Sequence, residues 1–151
     1  MTDRIERTLT LTNLAVLGTT GEIGAIASPV EFYADGVVCY IFPQPGSPKI
    51  RAMQRDPRIC LAVCNPMAGW VVARGAQLFA DAQLLDPGTP EWQHGMKIFR
   101  WQGSSAELGR APTAPPNGQL LKVDPHRIVY TEHYLRKTGY APRQIWRRDE
   151  D

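Results

Sequence analysis

The run YIFPQPGSPK, Tyr40 to Lys49, joins two textures of sequence and decides how the chain is read. Tyr40-Ile41-Phe42 closes a stretch of β-forming residues. Pro43-Gln44-Pro45-Gly46 turns the chain. Ser47-Pro48 then marks a helix start, with a hydroxyl at the N-cap and proline at the first helical position. Lys49 follows two residues after the serine. A helix N-terminus offers unpaired backbone N–H groups and a partial positive charge. A hydroxyl and an ammonium placed there make a compact phosphate cradle. Arg51 and Arg55 on the same helix raise the local potential. The same residues also describe an ordinary capped surface helix, and this run alone does not separate the two readings.

Upstream of the run lies a meander. The first dozen residues, with Ile5, Leu9 and Leu11 among charges, predict a short amphipathic helix. Leu14 to Thr19 reads as a buried strand, Thr20-Gly21-Glu22 as a tight turn, and Ile23 to Tyr33 as a second strand. Ala34-Asp35-Gly36 turns again into a third strand, Val37 to Phe42. Downstream, Asp56-Pro57 stops the helix at about Arg55, and Arg58 to Cys64 forms a fourth strand. After a turn over Asn65 to Gly69, Trp70 to Leu85 reads as a long fifth strand. Gly75 marks a bulge or barrel corner within it. Pro90 to Trp101 is helical, and Gln102 to Gly118 is expected to be a mobile loop. Strand character returns from Gln119 to Tyr134. From Leu135 the tail is polar and basic, with Tyr140, Ile145 and Trp146 as anchors on a partner.

These elements predict a mainly β domain over residues 1–151, a six-stranded antiparallel split β-barrel with a few short helices. Closure would remove the exposed edges that such a sheet otherwise presents.

Composition narrows the function. A chain of 151 residues has room for one substantial core. Seventeen basic and fifteen acidic side chains leave a net charge of +2, too balanced for binding nucleic acid by bulk electrostatics. No run approaches the roughly 20 apolar residues that span a bilayer. The charged start lacks the apolar segment of a secretory leader, so a cytoplasmic protein is expected. Cys39, Cys60 and Cys64 lie in strand-like surroundings and read as reduced packing residues. His94, His126 and His133 are scattered, with no base–nucleophile arrangement. Met67 and Met96 need no cofactor to explain them.

The order of these features resembles the FMN-binding split-barrel proteins related to pyridoxamine phosphate oxidase. The resemblance rests on the meander, on Ser47-x-Lys49, on Asp56-Pro57-Arg58 running into a strand, and on an aromatic-started strand with a Gly75-Ala76 step. It covers Leu14 to Leu85, with a weaker echo from Leu120 to Tyr130. It implies that Ser47 and Lys49 grip the FMN phosphate. It implies that Ser28, Pro29 and Val30, within Ala27 to Phe32, lie along the ring and ribityl chain, with Phe42 beside them. Trp70 would wall in the flavin across a subunit interface. The family also implies a homodimer with FMN between its subunits and a flavin-dependent oxidoreductase acting on a small molecule. Its mechanism is mostly the cofactor's, with no catalytic acid or base assigned.

Departures from the oxidase itself are clear. The basic residues flanking the second-strand motif are replaced by Ser28, Tyr33 or their neighbours. The Arg-Gln pair is replaced by Trp70-Val71-Val72, and no Arg-x-His motif closes the tail. Vitamin B6 oxidation is not the expected activity. Split-barrel relatives that bind deazaflavin or haem, and a non-enzymatic ligand-binding dimer, remain alternatives.

Overall fold

The computed structural model describes residues 1–66 and 69–150; Met67 lies outside them. Helix α1 (Thr2–Thr10) is amphipathic and buries Ile5, Thr8 and Leu9. The hairpin of β1 (Leu14–Gly21) and β2 (Gly24–Glu31) follows, in unbroken register from Leu14 opposite Glu31 to Gly21 opposite Gly24. Next come β3 (Tyr33–Asp35), β4 (Val38–Ile41), α2 (Pro48–Arg55), β5 (Arg58–Cys64), β6 (Arg74–Asp81) and β7 (Gln83–Leu85). The chain continues with α3 (Pro90–Phe99), α4 (Trp101–Glu107), β8 (Leu120–Val123), β9 (Arg127–Glu132) and β10 (Arg143–Arg147).

The described strands do not form one closed six-stranded barrel. They form two antiparallel sheets, ordered β10-β9-β6-β5-β1-β2 and β3-β4-β8-β7. Two of the strands expected from sequence are each divided between the sheets. The Phe32 N–H still bonds the Asn13 carbonyl at 2.9 Å, and the Ala82 N–H the Pro57 carbonyl at 2.7 Å, each one step beyond the last paired residues of its ladder. Immediately after each of these residues the chain pairs in the other sheet. The inner faces share one core, in which Leu17, Leu61, Leu78 and Ile128 of the first sheet meet Cys39, Ile41, Leu121 and Val123 of the second. Ile5 and Leu9 of α1 join the same cluster.

Four further expectations change. Gly75 is no bulge: it pairs in register with Cys64 on one side and Thr131 on the other. Its role is close approach, because a Cβ there would lie 2.6 Å from the Val63 carbonyl oxygen. Trp70 opens no strand and sits in a 3₁₀ turn over Trp70–Val72. The Asn65 side chain donates to the Val72 carbonyl at 3.0 Å and accepts from the Arg74 N–H at 2.9 Å, holding that turn closed until pairing starts. The segment 102–118 begins as helix α4, which starts anew after Arg100 breaks α3 by adopting the left-handed conformation.

The tail is also not left to a partner. After a 3₁₀ segment over His133–Thr138, β10 pairs with β9 as the outer strand of the larger sheet, and Trp146 is 4% exposed in the common core. Tyr140 and Ile145 remain exposed. Near this end, the buried Glu132 carboxylate accepts from the Tyr130 hydroxyl and from Arg4 Nη1, each at 2.9 Å. The Arg4 bond ties α1 to β9, and this charged donor compensates the buried carboxylate.

The cysteines differ from one another. Cys39 is fully buried, and burial pushes its thiol up to about 12. Cys60 is half-buried, whereas Cys64 is exposed, so the packing role expected of all three does not extend to Cys64.

Candidate functional site

Helix α2 starts where the sequence places it, but its cap is unusual. Ser47 adopts the extended N-cap conformation, and its carbonyl accepts from the Ile50 and Arg51 N–H groups at 3.1 and 3.4 Å. Its hydroxyl makes no capping bond. The Ser47 Oγ is shut away from solvent and has no hydrogen-bond partner among the described residues. A buried hydroxyl without a partner is costly, and a ligand oxygen at the helix start relieves that cost. Lys49, half-buried on the first turn, adds a positive charge beside it. The residues present therefore fit a phosphate group.

The two arginines on α2 do other work. Arg51 Nη1 donates to the Gly46 carbonyl at 2.6 Å, which clamps the loop before Ser47 onto the helix. Gly46 itself has φ 72°, a conformation that favours glycine. Arg55 Nη1 pairs with Glu22 Oε1 at 2.6 Å, so its charge is largely matched. A cleft of about 210 Å³ separates α2 from the β1–β2 hairpin, bounded by Gly21, Ile26, Pro48 and Arg51.

At the far end of α2, Asp56 accepts from the Arg58 backbone N–H at 3.1 Å and from its guanidinium at 2.7 and 2.9 Å. The Arg58 side chain holds this carboxyl well below its ordinary value of 3.8, at about 2. A folded-state pKa depressed in this way adds stability that is present above pH 4 and is lost as pH falls toward about 2. The Arg58→Ala variant is expected to return the Asp56 titration toward its ordinary value. Carbon-detected NMR of the carboxyl checks this, and an unchanged midpoint would refute the pairing.

Strand β2 is an edge of the larger sheet, so one side of its backbone is unpaired. Its side chains alternate: Ile26, Ser28 and Val30 face inward, while Ala25, Ala27 and Pro29 are exposed. Val30 belongs to the core. It can therefore serve a ligand only through its backbone. Ser28 is half-buried and Pro29 exposed, so both stay accessible at that edge.

Trp70 is not brought near α2. It lies beyond β1 and β5, 67% exposed, with its ring 4.4 Å from that of His133. Val71, Val72, Leu14 and Val16 near this end of the sheet are also exposed, as is Ile23 in the β1–β2 turn at the other end. Of the other histidines, His94 Nε2 lies 3.1 Å from Asp35 Oδ2 on the surface. Among the described residues no three His, Cys, Asp or Glu side chains are grouped to hold a metal ion.

Phe42 is half-buried beside Phe99, with ring centroids 6.2 Å apart. Gly118 passes so close that a Cβ there would meet Phe42 at 2.8 Å and Pro45 at 3.4 Å. Next to Phe42 opens a cleft of about 230 Å³, walled by Phe99, Trp101 and Leu108 and edged by Glu31 and Arg110. Sequence reading missed this cleft. Its wall depends on the left-handed Arg100, the single non-glycine residue with positive φ among those described, and no local signal announces that break.

Known proteins agree with this architecture. The family model for pyridoxamine 5'-phosphate oxidase matches residues 1–132. No curated protein matches the sequence. Among solved structures, a haem binding protein from Mycobacterium smegmatis superposes with a TM-score of 0.72 at 17% identity, covering 97% of this chain and 58% of that one. This chain thus spans little more than half that protein's length. General stress protein 26 from Bacillus anthracis str. Sterne gives 0.69 at 18% identity, with 97% of both chains covered. A Clostridium acetobutylicum protein related to general stress protein 26, of the pyridoxinephosphate oxidase family, gives 0.70 at 13% identity, covering 98% of this chain and 94% of that one. No helix among the described residues is long and apolar enough to cross a membrane. With the match running through both sheets and the start of α2, the chain belongs to the pyridoxamine 5'-phosphate oxidase family.

Proposed function

We propose that this protein binds FMN and acts in the cytoplasm as a flavin-dependent oxidoreductase on a small-molecule substrate. The observation that carries the reading is the buried, unpartnered Ser47 hydroxyl at the start of α2, with Lys49 two residues on in the first turn of the helix. Ser47 donates to a phosphate oxygen, Lys49 neutralises its charge, and the Arg51–Gly46 bond keeps the loop in place. The open backbone of β2 from Ser28 to Val30, with Pro29, runs along the flavin, and Phe42 closes one side. A bound flavin supplies hydride or electron transfer at its ring, and the chain supplies position and electrostatics. The same corner also serves a phosphorylated deazaflavin.

The protein works as a homodimer, with residues 1–151 of each subunit forming one domain. The exposed Leu14, Val16, Ile23, Val71 and Val72 provide the apolar surface for it. Pairing of two such faces brings a partner's Trp70 toward the flavin, a distance that one chain alone does not bridge. Two measurements check this. Purified protein titrated with FMN is expected to show perturbed flavin bands; a Soret band as isolated would indicate haem, and no response to FMN would leave a non-enzymatic scaffold. Light scattering at micromolar concentration is expected to give the mass of a dimer. A flavin-loaded monomer would overturn the interface.

A further inference from the structure

We propose that the aromatic cleft between Phe42 and α4 is the substrate subsite of the flavin centre, and that it takes a small, uncharged, flat ring compound of one or two fused rings. The place follows from the fold. The cleft is edged by Glu31, the residue after the Ser28–Val30 stretch, and by Phe42, which precedes the Ser47 loop. It therefore adjoins the path assigned to the flavin. Its function as a substrate site rests on the flavin reading, whereas occupancy of the cleft itself does not.

The ligand class follows from size and charge. The volume of about 230 Å³ lies below the roughly 300 Å³ at which pockets for drug-sized ligands begin. A ligand of one or two fused rings matches that volume. Phe42, Phe99 and Trp101 offer ring faces and edges, which favour stacked or edge-on aromatic contacts. Only two charged residues line the cleft, Glu31 and Arg110, and they are opposite in sign. Glu31 is already engaged, accepting from the Tyr33 hydroxyl at 2.9 Å and more loosely from Ser104 at 3.4 Å. This lining, in which the single cation Arg110 is matched by the Glu31 carboxylate, contrasts with the Ser47–Lys49 corner, and a phosphorylated ring would meet a carboxylate here as well as a guanidinium.

The cover is built to move aside. Helix α4 buries no residue, and Leu108 at its end is 68% exposed. It is joined to α3 through Arg100 in the left-handed conformation, at φ 56°. A non-glycine residue held there is strained, and such strain gathers where a segment serves a ligand. Arg100 also lies over the Tyr33 ring at 5.8 Å, a contact that holds the break in place.

The matched pair 2-naphthol and 2-naphthyl phosphate tests the assignment by calorimetric titration of the full chain. The Lys49→Ala background removes the phosphate corner as a competing site. There, 2-naphthol is expected to bind at least about tenfold more tightly than the ester. Trp101→Ala and Leu108→Glu are each expected to weaken 2-naphthol about fivefold or more, while FMN affinity changes less than about twofold. Leu108 is exposed and Trp101 only partly buried at the edge of the Tyr40–Phe99 cluster, so both variants are expected to fold. Unchanged 2-naphthol affinity in both variants, or an ester that binds as tightly as the alcohol, would overturn the proposal. Protein that binds 2-naphthol through Trp101 yet ignores FMN would keep the cleft and refute the flavin.

Discussion

Replacing Trp146 with alanine is expected to destabilise the protein by about 3–5 kcal/mol, the usual cost of emptying a large aromatic site in a core. For a chain of this length that lowers the thermal midpoint by roughly 6–20 °C. Trp146 lies on β10, pairs across to Ile128 on β9, and is 4% exposed within the cluster shared by both sheets. Its neighbours Ile145 and Arg147 point outward, so the strand contributes this one large side chain to the core. Truncation leaves a cavity that the ladder to β9 keeps from collapsing. If Trp146 instead anchored a partner subunit, the variant would shift the dimer equilibrium and show a strongly concentration-dependent midpoint. A midpoint within about 2 °C of the wild type would remove Trp146 from the core.

The Lys49→Ala variant is expected to weaken FMN binding by about 1.5–3 kcal/mol, the range for losing a charged partner in a hydrogen bond. That is roughly a 10- to 150-fold loss in affinity. The fold should be untouched, since Lys49 is half-buried and α2 is held by Ile50, Ala52 and Met53 on its inner face. Ser47→Ala separates the two halves of the cradle. It removes a buried hydroxyl that has no partner in the chain, so the unliganded protein should be as stable or slightly more stable, while FMN binding falls. Fluorescence titration of both variants reads the affinities, and thermal melts without flavin read the stability. Wild-type affinity in Lys49→Ala would take that residue out of the site.

Particular segments show where the sequence was legible. The Ser47-Pro48 start of α2 and its stop at Asp56-Pro57 were readable, because a serine in the extended N-cap conformation and two prolines act within a few residues of themselves. The hairpin of β1 and β2 was readable for the same reason. The division of one predicted strand at Phe32 and another at Ala82 was not. In each case the last bond of one ladder is followed directly by residues that pair in the other sheet, with partners distant in sequence, and the side-chain alternation carries on without a mark. Trp70 looked like the first residue of a strand, because nothing local reveals that Asn65 pins the turn around it. The tail looked unstructured because its basic residues face solvent. One buried tryptophan in five residues is a thin pattern, and only pairing with β9 gives it meaning.

The sequence by itself determined the order of elements, the capped start of α2, and the pairing of Ser47 with Lys49 on its first turn. Those properties depend on backbone preferences and on charges close together along the chain. Only the tertiary structure decided that the strands divide into two sheets over one core, that the Ser47 hydroxyl is buried without a partner, and that Trp101 closes a cleft beside Phe42. Each of those depends on groups distant in sequence competing for the same hydrogen bonds and the same volume, and that competition is resolved only when the chain is folded.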